Sequence, residues 1–117
     1  MEKQNKVSVW IGKFTDKASF ENYVRESYND DGEMVSNFMK DFEIDFYDED
    51  LSESCFVEHD DLSQINDFSY AVSFMKHVLD NVTHQNSFKL LYDFDYVGEN
   101  KDSSKLKFIG SFDYVKD

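Results

Sequence analysis

Large apolar residues at alternate positions in the C-terminal third constrain the fold of this chain more than any other feature. In residues 88–96, and again in residues 106–114, an apolar or aromatic residue stands at almost every second position. Because successive side chains of a β-strand point to opposite faces of a sheet, this alternation indicates two half-buried antiparallel strands. The polar residues 98–104 between them predict a loop that joins the two strands as a hairpin.

Shorter signals predict a strand and a helix in the N-terminal quarter. Residues 7–11 are apolar and largely β-branched, which is typical of a strand. Apolar residues then recur at helical spacing from Phe20 to Tyr28, with Thr15 or Asp16 available as the N-cap. The turn-forming residues 29–32 predict the end of this helix.

The middle of the chain predicts two more helices and one more strand. Ser36 can cap a short helix that carries Phe38 and Phe42. Residues 54–59 suggest a strand. Ser69 can cap a longer helix whose apolar residues form one stripe. The stripe consists of Ala71, Phe74, Met75, Val78, Leu79 and Val82.

Together these elements predict an α+β fold. Their order along the chain is β-α-α-β-α-β-β, which implies a mostly antiparallel four-stranded sheet with the helices packed on one face. The 117 residues include no proline and only four glycines, so no linker divides the chain. We therefore expect residues 1–117 to form a single domain, long enough for one core without disulfides or metal.

Composition also restricts the class of protein. Cys55 is the only cysteine, so no intrachain disulfide can form. The N-terminal residues lack the apolar core of a signal peptide, and no run approaches the ~20 apolar residues that cross a bilayer. We therefore expect a soluble, cytoplasmic protein.

Negative charge is concentrated in residues 30–61, hereafter the acidic segment. It contains thirteen Asp or Glu residues and one base, Lys40, so it carries −12 of the total charge of −13. Such a field repels nucleic acid and anionic membranes and attracts basic surfaces. Aromatic residues run through the segment, which favours a folded surface over a disordered tail. The pattern predicts a surface that binds a basic protein, although a surface that only aids solubility has the same composition.

The pattern gives little support to a metal or catalytic site. An EF-hand loop starting at Asp41 or Asp48 lacks the Gly at position 6 and the Glu at position 12 that calcium binding requires. The histidines form no paired zinc motif; they are His59, His77 and His84. Cys55 and His59 would stand about 13 Å apart in a strand, too far for a nucleophile and its base. We predict no metal, no cofactor and no catalytic residue.

The aromatic residues divide into core and surface candidates. Phe38 and Phe42 are one helical turn apart and are expected in the core. Tyr47 is the better candidate for exposure, because Tyr is enriched at interface hot spots. Trp10, the only tryptophan, either covers the second face of the sheet or forms part of a binding surface.

Three segments stand out together: residues 7–14 (VSVWIGKF), residues 38–50 (FMKDFEIDFYDED) and residues 106–112 (LKFIGSF). In this order they resemble immunity protein family 22 of bacterial polymorphic toxin systems, and the second segment is the most specific. The likeness covers almost the whole chain. The chain differs from the family pattern at Glu43, where a small residue, often Gly, is common. This difference adds a negative charge to the acidic segment.

The resemblance implies a non-enzymatic cytoplasmic protein, encoded beside a toxin, that binds and neutralises that toxin. Many toxins of this kind are nucleases, which need a basic surface to hold phosphates. An acidic inhibitor can occupy such a surface. The hypothesis assigns the partner contacts to Asp41, Glu43, Asp45, Tyr47, Asp48, Glu49 and Asp50.

Two other functions stay open beside immunity. A nucleic-acid mimic would use the same carboxylates in place of phosphates and would bind several basic proteins rather than one. A small enzyme or metal-binding protein has the least support. Under the immunity hypothesis, the chain binds one toxin and neither nucleic acid nor membrane. It is a monomer or a weak dimer, because its charge opposes self-association while a sheet edge can still pair.

Overall fold

The computed structural model describes residues 1–58 and 62–116 and is organised around a four-stranded antiparallel sheet. The strands of this sheet are β1 (Glu2–Gly12), β4 (Ser52–Phe56), β5 (Ser87–Phe94) and β6 (Leu106–Asp113). The other elements are α1 (Lys17–Val24), the hairpin of β2 (Ser27–Tyr28) and β3 (Met34–Val35), α2 (Asn37–Asp41), α3 (Ala71–Leu79) and two 3-10 turns (Glu49–Leu51 and Leu62–Asp67). The predicted α+β fold with four antiparallel strands is confirmed. Predictions for His59, Asp60 and Asp61 concern residues outside those described.

β1 lies between β5 and β6 in the order β4-β5-β1-β6, so the predicted hairpin of the last two strands is wrong. Val9 pairs with Leu90 of β5 on one side and with Gly110 of β6 on the other. β1 is buried at five consecutive positions, and six consecutive residues of β5 are buried as well. These two continuously buried strands occupy the centre of the sheet, so β5 is not half-buried as predicted.

Helices cover both faces of the sheet, so the prediction that they all pack on one face is wrong. Trp10 belongs to the apolar cluster formed with α1 and α2, whereas Val9 and Ile11 belong to the cluster formed with α3. We call these the α1–α2 face and the α3 face. Because β1 and β5 carry apolar side chains on both faces of the sheet, other elements must pack on each face to shield it from water. Trp10 therefore covers the second face, fully buried and edge-on to Phe38 at 4.9 Å.

The α3 face is built by the predicted amphipathic helix. The buried residues of α3 are Ala71, Phe74, Met75 and Val78, as the stripe predicts. Leu79 lies at the exposed edge of that stripe. The predicted cap Ser69 is wrong, because the N-cap is Tyr70, which has a left-handed backbone and makes no side-chain cap bond. The Ser69 carbonyl instead accepts a hydrogen bond from the Tyr92 hydroxyl at 2.7 Å.

Two short capped helices build the α1–α2 face. Asp16 caps α1 by accepting a hydrogen bond from the backbone N–H of Ser19 at 2.8 Å. Ser36 caps α2 by accepting from the backbone N–H of Met39 at 3.0 Å. These caps confirm the sequence prediction that Thr15 or Asp16 starts the first helix and that Ser36 starts the second.

The first helix ends at Val24, earlier than predicted, and the turn at residues 29–32 closes a hairpin instead of ending a helix. Tyr28 lies in β2 and pairs with Met34 of β3. The Asn29 side chain accepts hydrogen bonds from the backbone N–H groups of Asp31 and Glu33, both at 3.0 Å. A turn stabilised by its own side chain competes with continuation of the helix.

Candidate partner-binding surface

The buried apolar residues of the acidic segment as far as Tyr47 pack on the α1–α2 face, whereas Leu51, Cys55 and Val57 belong to the cluster of the α3 face. Eleven of the thirteen acids of the segment lie among the described residues, and nine of these are exposed. The two that are partly buried are Asp41 and Glu53. The nine exposed carboxylates give the surface of this segment a negative field that a partner can meet.

The α2 helix ends in a Schellman motif centred on Glu43. The N–H of Ile44 donates to the Met39 carbonyl at 2.9 Å, and the N–H of Glu43 donates to the Lys40 carbonyl at 3.3 Å. This motif needs a left-handed residue, and Glu43 has a φ of 54°. A side chain at such a position meets a steric cost that Gly avoids. An exposed glutamate therefore stands where the backbone favours glycine.

Tyr47 is buried, so the prediction that it is exposed is wrong. Only 2 % of it is exposed, and its hydroxyl donates a hydrogen bond to Glu26 Oε2. Burial, with a contribution from this carboxylate, raises the pKa of the Tyr47 hydroxyl. The exposed aromatic residue of this stretch is its neighbour Phe46, at 67 %. A partner can contact Phe46, whereas Tyr47 faces the interior.

A buried cation lies beneath the acidic segment. Lys89 of β5 is 2 % exposed, and its Nζ donates to Ser52 Oγ at 2.6 Å. The same Nζ lies 3.6 Å from Glu26 Oε2 and 5.3 Å from the centre of the Tyr47 ring. Burial lowers the pKa of Lys89 to about 8, against the raising effect of Glu26. These four residues, hereafter the Lys89 cluster, join β5 and β4 to the acidic segment and to the link between α1 and β2.

Sequence reasoning missed the Lys89 cluster. The alternation in residues 88–96 predicts Lys89 on a polar, solvent-facing side of its strand. One signal in the pattern contradicts this, because Leu91 shares that side and is buried with Lys89. An apolar residue on the supposed polar side indicates that both faces of the strand are covered. For Glu26, no local signal marks its partner, since the contact joins distant parts of the chain.

Three acids of the predicted site are engaged within the protein. Asp41 accepts a hydrogen bond from the Tyr23 hydroxyl at 2.8 Å. Glu49 accepts one from the Tyr28 hydroxyl at 2.6 Å. The Asp48 side chain caps the adjacent 3-10 turn by accepting from a backbone N–H at 3.0 Å. These carboxylates hold the acidic segment in shape as well as charging its surface.

The other three acids of the predicted site are free. Glu43, Asp45 and Asp50 are exposed, and within residues 1–58 and 62–116 their side chains form no hydrogen bond and no ion pair. A free carboxylate can gain a partner without losing an internal contact. The structure thus separates the predicted residues into a supporting set and a set available for binding.

A groove of about 930 Å³ runs beside Glu43 and Asp45, two of the three free carboxylates. It is bounded by the end of α1, by the β2–β3 hairpin and by the residues that follow α2. Its charged lining consists of Arg25, Glu33, Lys40, Glu43 and Asp45. Met34, Met39 and Ile44 add apolar lining. The groove therefore combines an apolar part with charges of both signs.

Other reactive side chains lie elsewhere. Among the residues that the structure describes, no group of three or more His, Cys, Asp or Glu side chains is placed to hold a metal ion. Cys55 is half-buried, and burial raises the pKa of its thiol, whereas an activated nucleophile has a lowered one. His77 stacks on Phe112 with ring centres 5.4 Å apart.

No helix in the described part of the chain is long and apolar enough to cross a membrane.

A family model described as Immunity protein 22 matches residues 7–115 of the 117-residue chain. The matched range contains the free carboxylates, the groove and the Lys89 cluster. Neither the curated proteins nor the solved structures provide a match to this chain.

Proposed function

Because this chain belongs to the Immunity protein 22 family, we propose that it neutralises one cognate toxin domain by binding it through the acidic segment. Family membership itself supports a toxin-neutralising immunity role. The proposal adds the contacting surface and the chemistry of the target, which is the basic, phosphate-binding surface of a nuclease. The chain acts by occupying that surface, without a reaction of its own, in the cytoplasm of the bacterium that makes the toxin.

One observation carries this proposal. Glu43, Asp45 and Asp50 are exposed and unpaired among the described residues, within a segment whose net charge is −12. Each of them can form a charge-assisted hydrogen bond with a lysine or arginine of a partner. A surface that served only solubility would have no need to concentrate these charges in one segment.

The same charges explain how such an inhibitor would act quickly. Complementary charge raises the association rate constant to about 10⁸–10⁹ M⁻¹s⁻¹ at low salt. Added salt screens this attraction, because the Debye length falls to about 8 Å at physiological ionic strength. Phe46, exposed beside Asp45, supplies an apolar anchor of the kind enriched at protein interfaces.

Co-expression with the toxin gene encoded beside this chain tests the proposal. The wild-type chain should rescue a sensitive host. The double variant Asp45→Lys and Asp50→Lys should not, because it reverses two free charges without breaking an internal hydrogen bond. The matched control reverses Asp67 and Asp80, two exposed acids on the side of α3, and should rescue as well as the wild type.

Each outcome has a distinct meaning. Full rescue by the Asp45 and Asp50 variant would show that the acidic segment is not the binding surface. If the wild-type chain does not rescue the host, that toxin is not its cognate partner. If the purified chain binds several unrelated DNA-binding proteins as tightly as it binds the toxin, it is a nucleic-acid mimic instead.

A further inference from the structure

The groove beside the acidic segment gives a partner more to contact than a flat charged surface. Its volume of about 930 Å³ lies within the usual range of ligand clefts, so it has room for several side chains. Most of its lining comes from the acidic segment itself, and Arg25 enters from the end of α1.

Arg25 is the unusual group in this groove. It is the only arginine of the chain, and it is exposed. Within the described ranges it forms no ion pair, although Glu33, Glu43 and Asp45 line the same groove. An unpaired guanidinium keeps its five donors available, and their planar arrangement matches a carboxylate through two parallel hydrogen bonds.

A structural role for Arg25 makes a different prediction. Arg25 is the C-cap of α1, where any cation interacts favourably with the helix dipole. This effect is small at an exposed site and does not depend on the shape of the cation. A lysine at the same position would preserve it, whereas a bidentate contact with a carboxylate requires arginine.

We propose that the groove receives an element of the cognate toxin that carries a carboxylate between basic residues, and that Arg25 pairs with this carboxylate. The inference rests on the proposed function. Glu43 and Asp45, at the same groove, would contact the flanking bases. A nuclease that uses a divalent metal ion presents this combination, because it needs carboxylates to hold the metal within a surface that is basic enough to hold phosphates.

The sign of the effect separates this inference from general charge attraction. Arg25→Gln removes a positive charge and changes the formal net charge from −13 to −14. If the toxin recognised only negative charge, this substitution would leave binding unchanged or strengthen it. If Arg25 pairs with a carboxylate, the same substitution leaves that carboxylate unpaired in the complex and speeds dissociation.

Binding kinetics with an inactivated toxin domain, measured by surface plasmon resonance, test the inference. Arg25→Gln should raise Kd by about tenfold or more, mainly through a faster dissociation rate. Arg25→Lys should fall between this variant and the wild type. Lys76→Gln is the matched control, because Lys76 is an exposed cation on α3, and it should bind like the wild type. Thermal unfolding should show that all three variants are folded.

Equal or tighter binding by Arg25→Gln would overturn the inference. If Asp45→Lys with Asp50→Lys abolishes binding while Arg25→Gln does not change it, the proposed function stands and only the role of Arg25 fails. If the wild-type chain does not bind the toxin, the proposed function itself fails. In the positive case, Arg25→Glu should abolish binding, and lysine in place of the contacted toxin carboxylate should restore it.

Discussion

The two faces of the sheet are covered in different ways. On the α3 face, one helix of nine residues places a single apolar stripe on the central strands. On the α1–α2 face, helices of eight and five residues and a hairpin of two-residue strands provide the cover. Lys89, the one charged side chain that is buried among the described residues, also lies on this face. Both faces are packed with apolar side chains, and the face proposed to bind adds this buried charge with its hydrogen bond and its ion pair.

Matched deletions of one ring on each face give the largest expected effect and test this distinction. Phe38 and Phe74 are both fully buried. Replacing either with Ala should destabilise the protein by about 3–5 kcal/mol. Only Phe38→Ala should also weaken toxin binding, because the Phe38 ring lies 5.6 Å from Lys89 Nζ and 6.4 Å from the Tyr47 ring.

Urea denaturation measures the stability of both variants, and calorimetry at a temperature where both are folded measures their affinity. If Ala variants do not fold, Phe38→Leu and Phe74→Leu provide the same contrast with a smaller cavity. An equal loss of affinity from the two faces would contradict the distinction.

The buried lysine should make stability depend on pH. The pKa of Lys89 is about 8 in the folded protein against an ordinary value of 10.5, so between these values the unfolded chain binds more protons than the folded one. Stability should therefore rise as pH increases above 8. Above pH 10 the trend should reverse, because burial raises the pKa values of Tyr23 and Tyr47 and their unfolded forms lose protons first.

Comparison with Lys89→Met isolates this effect from that of other titrating groups. Between pH 8 and pH 10, the unfolding free energy of the wild type should gain about 2 kcal/mol relative to that of the variant. Urea titrations at several pH values measure the difference. A constant difference across this range would show that Lys89 is not desolvated in solution.

Replacing Glu43 with Gly should have opposite effects on the stability of the protein and on its affinity for the toxin. Glu43→Gly relieves the left-handed residue at the end of α2 and should stabilise the protein by about 1 kcal/mol. It should also weaken toxin binding, because it removes a free carboxylate. Glu43→Gln should weaken binding equally without the gain in stability. Thermal melts measure the stability of both variants, and binding titrations measure their affinity for the toxin. Wild-type affinity in the glycine variant would show that Glu43 does not contact the toxin.

The smallest effect on stability is expected at two exposed apolar side chains. Phe46 and Val72 are both exposed, on the α1–α2 and α3 sides respectively. Replacing either with Ala should change the unfolding free energy by less than about 0.5 kcal/mol. Phe46→Ala should still raise Kd about tenfold, whereas Val72→Ala should not. Equal affinities for the two variants would exclude Phe46 as an anchor.

The candidate site was only partly accessible from sequence. The charge count located the acidic segment, and nine of its eleven described acids are exposed. The sequence did not reveal that Asp41 and Glu49 are engaged by tyrosines or that Tyr47 points inward. Each of these facts depends on a contact with a residue from another element, which composition and spacing do not encode.

Sequence by itself determined the features whose physical cause is local. The positions of the last two strands, the stripe of α3 and the caps Asp16 and Ser36 each arise from residues close together in the chain. Only the tertiary structure decided that β1 separates β5 from β6, that helices cover both faces and that Lys89 meets Glu26. These outcomes depend on which surfaces are left to bury once the sheet forms, because burial is settled by the whole chain rather than by any one segment.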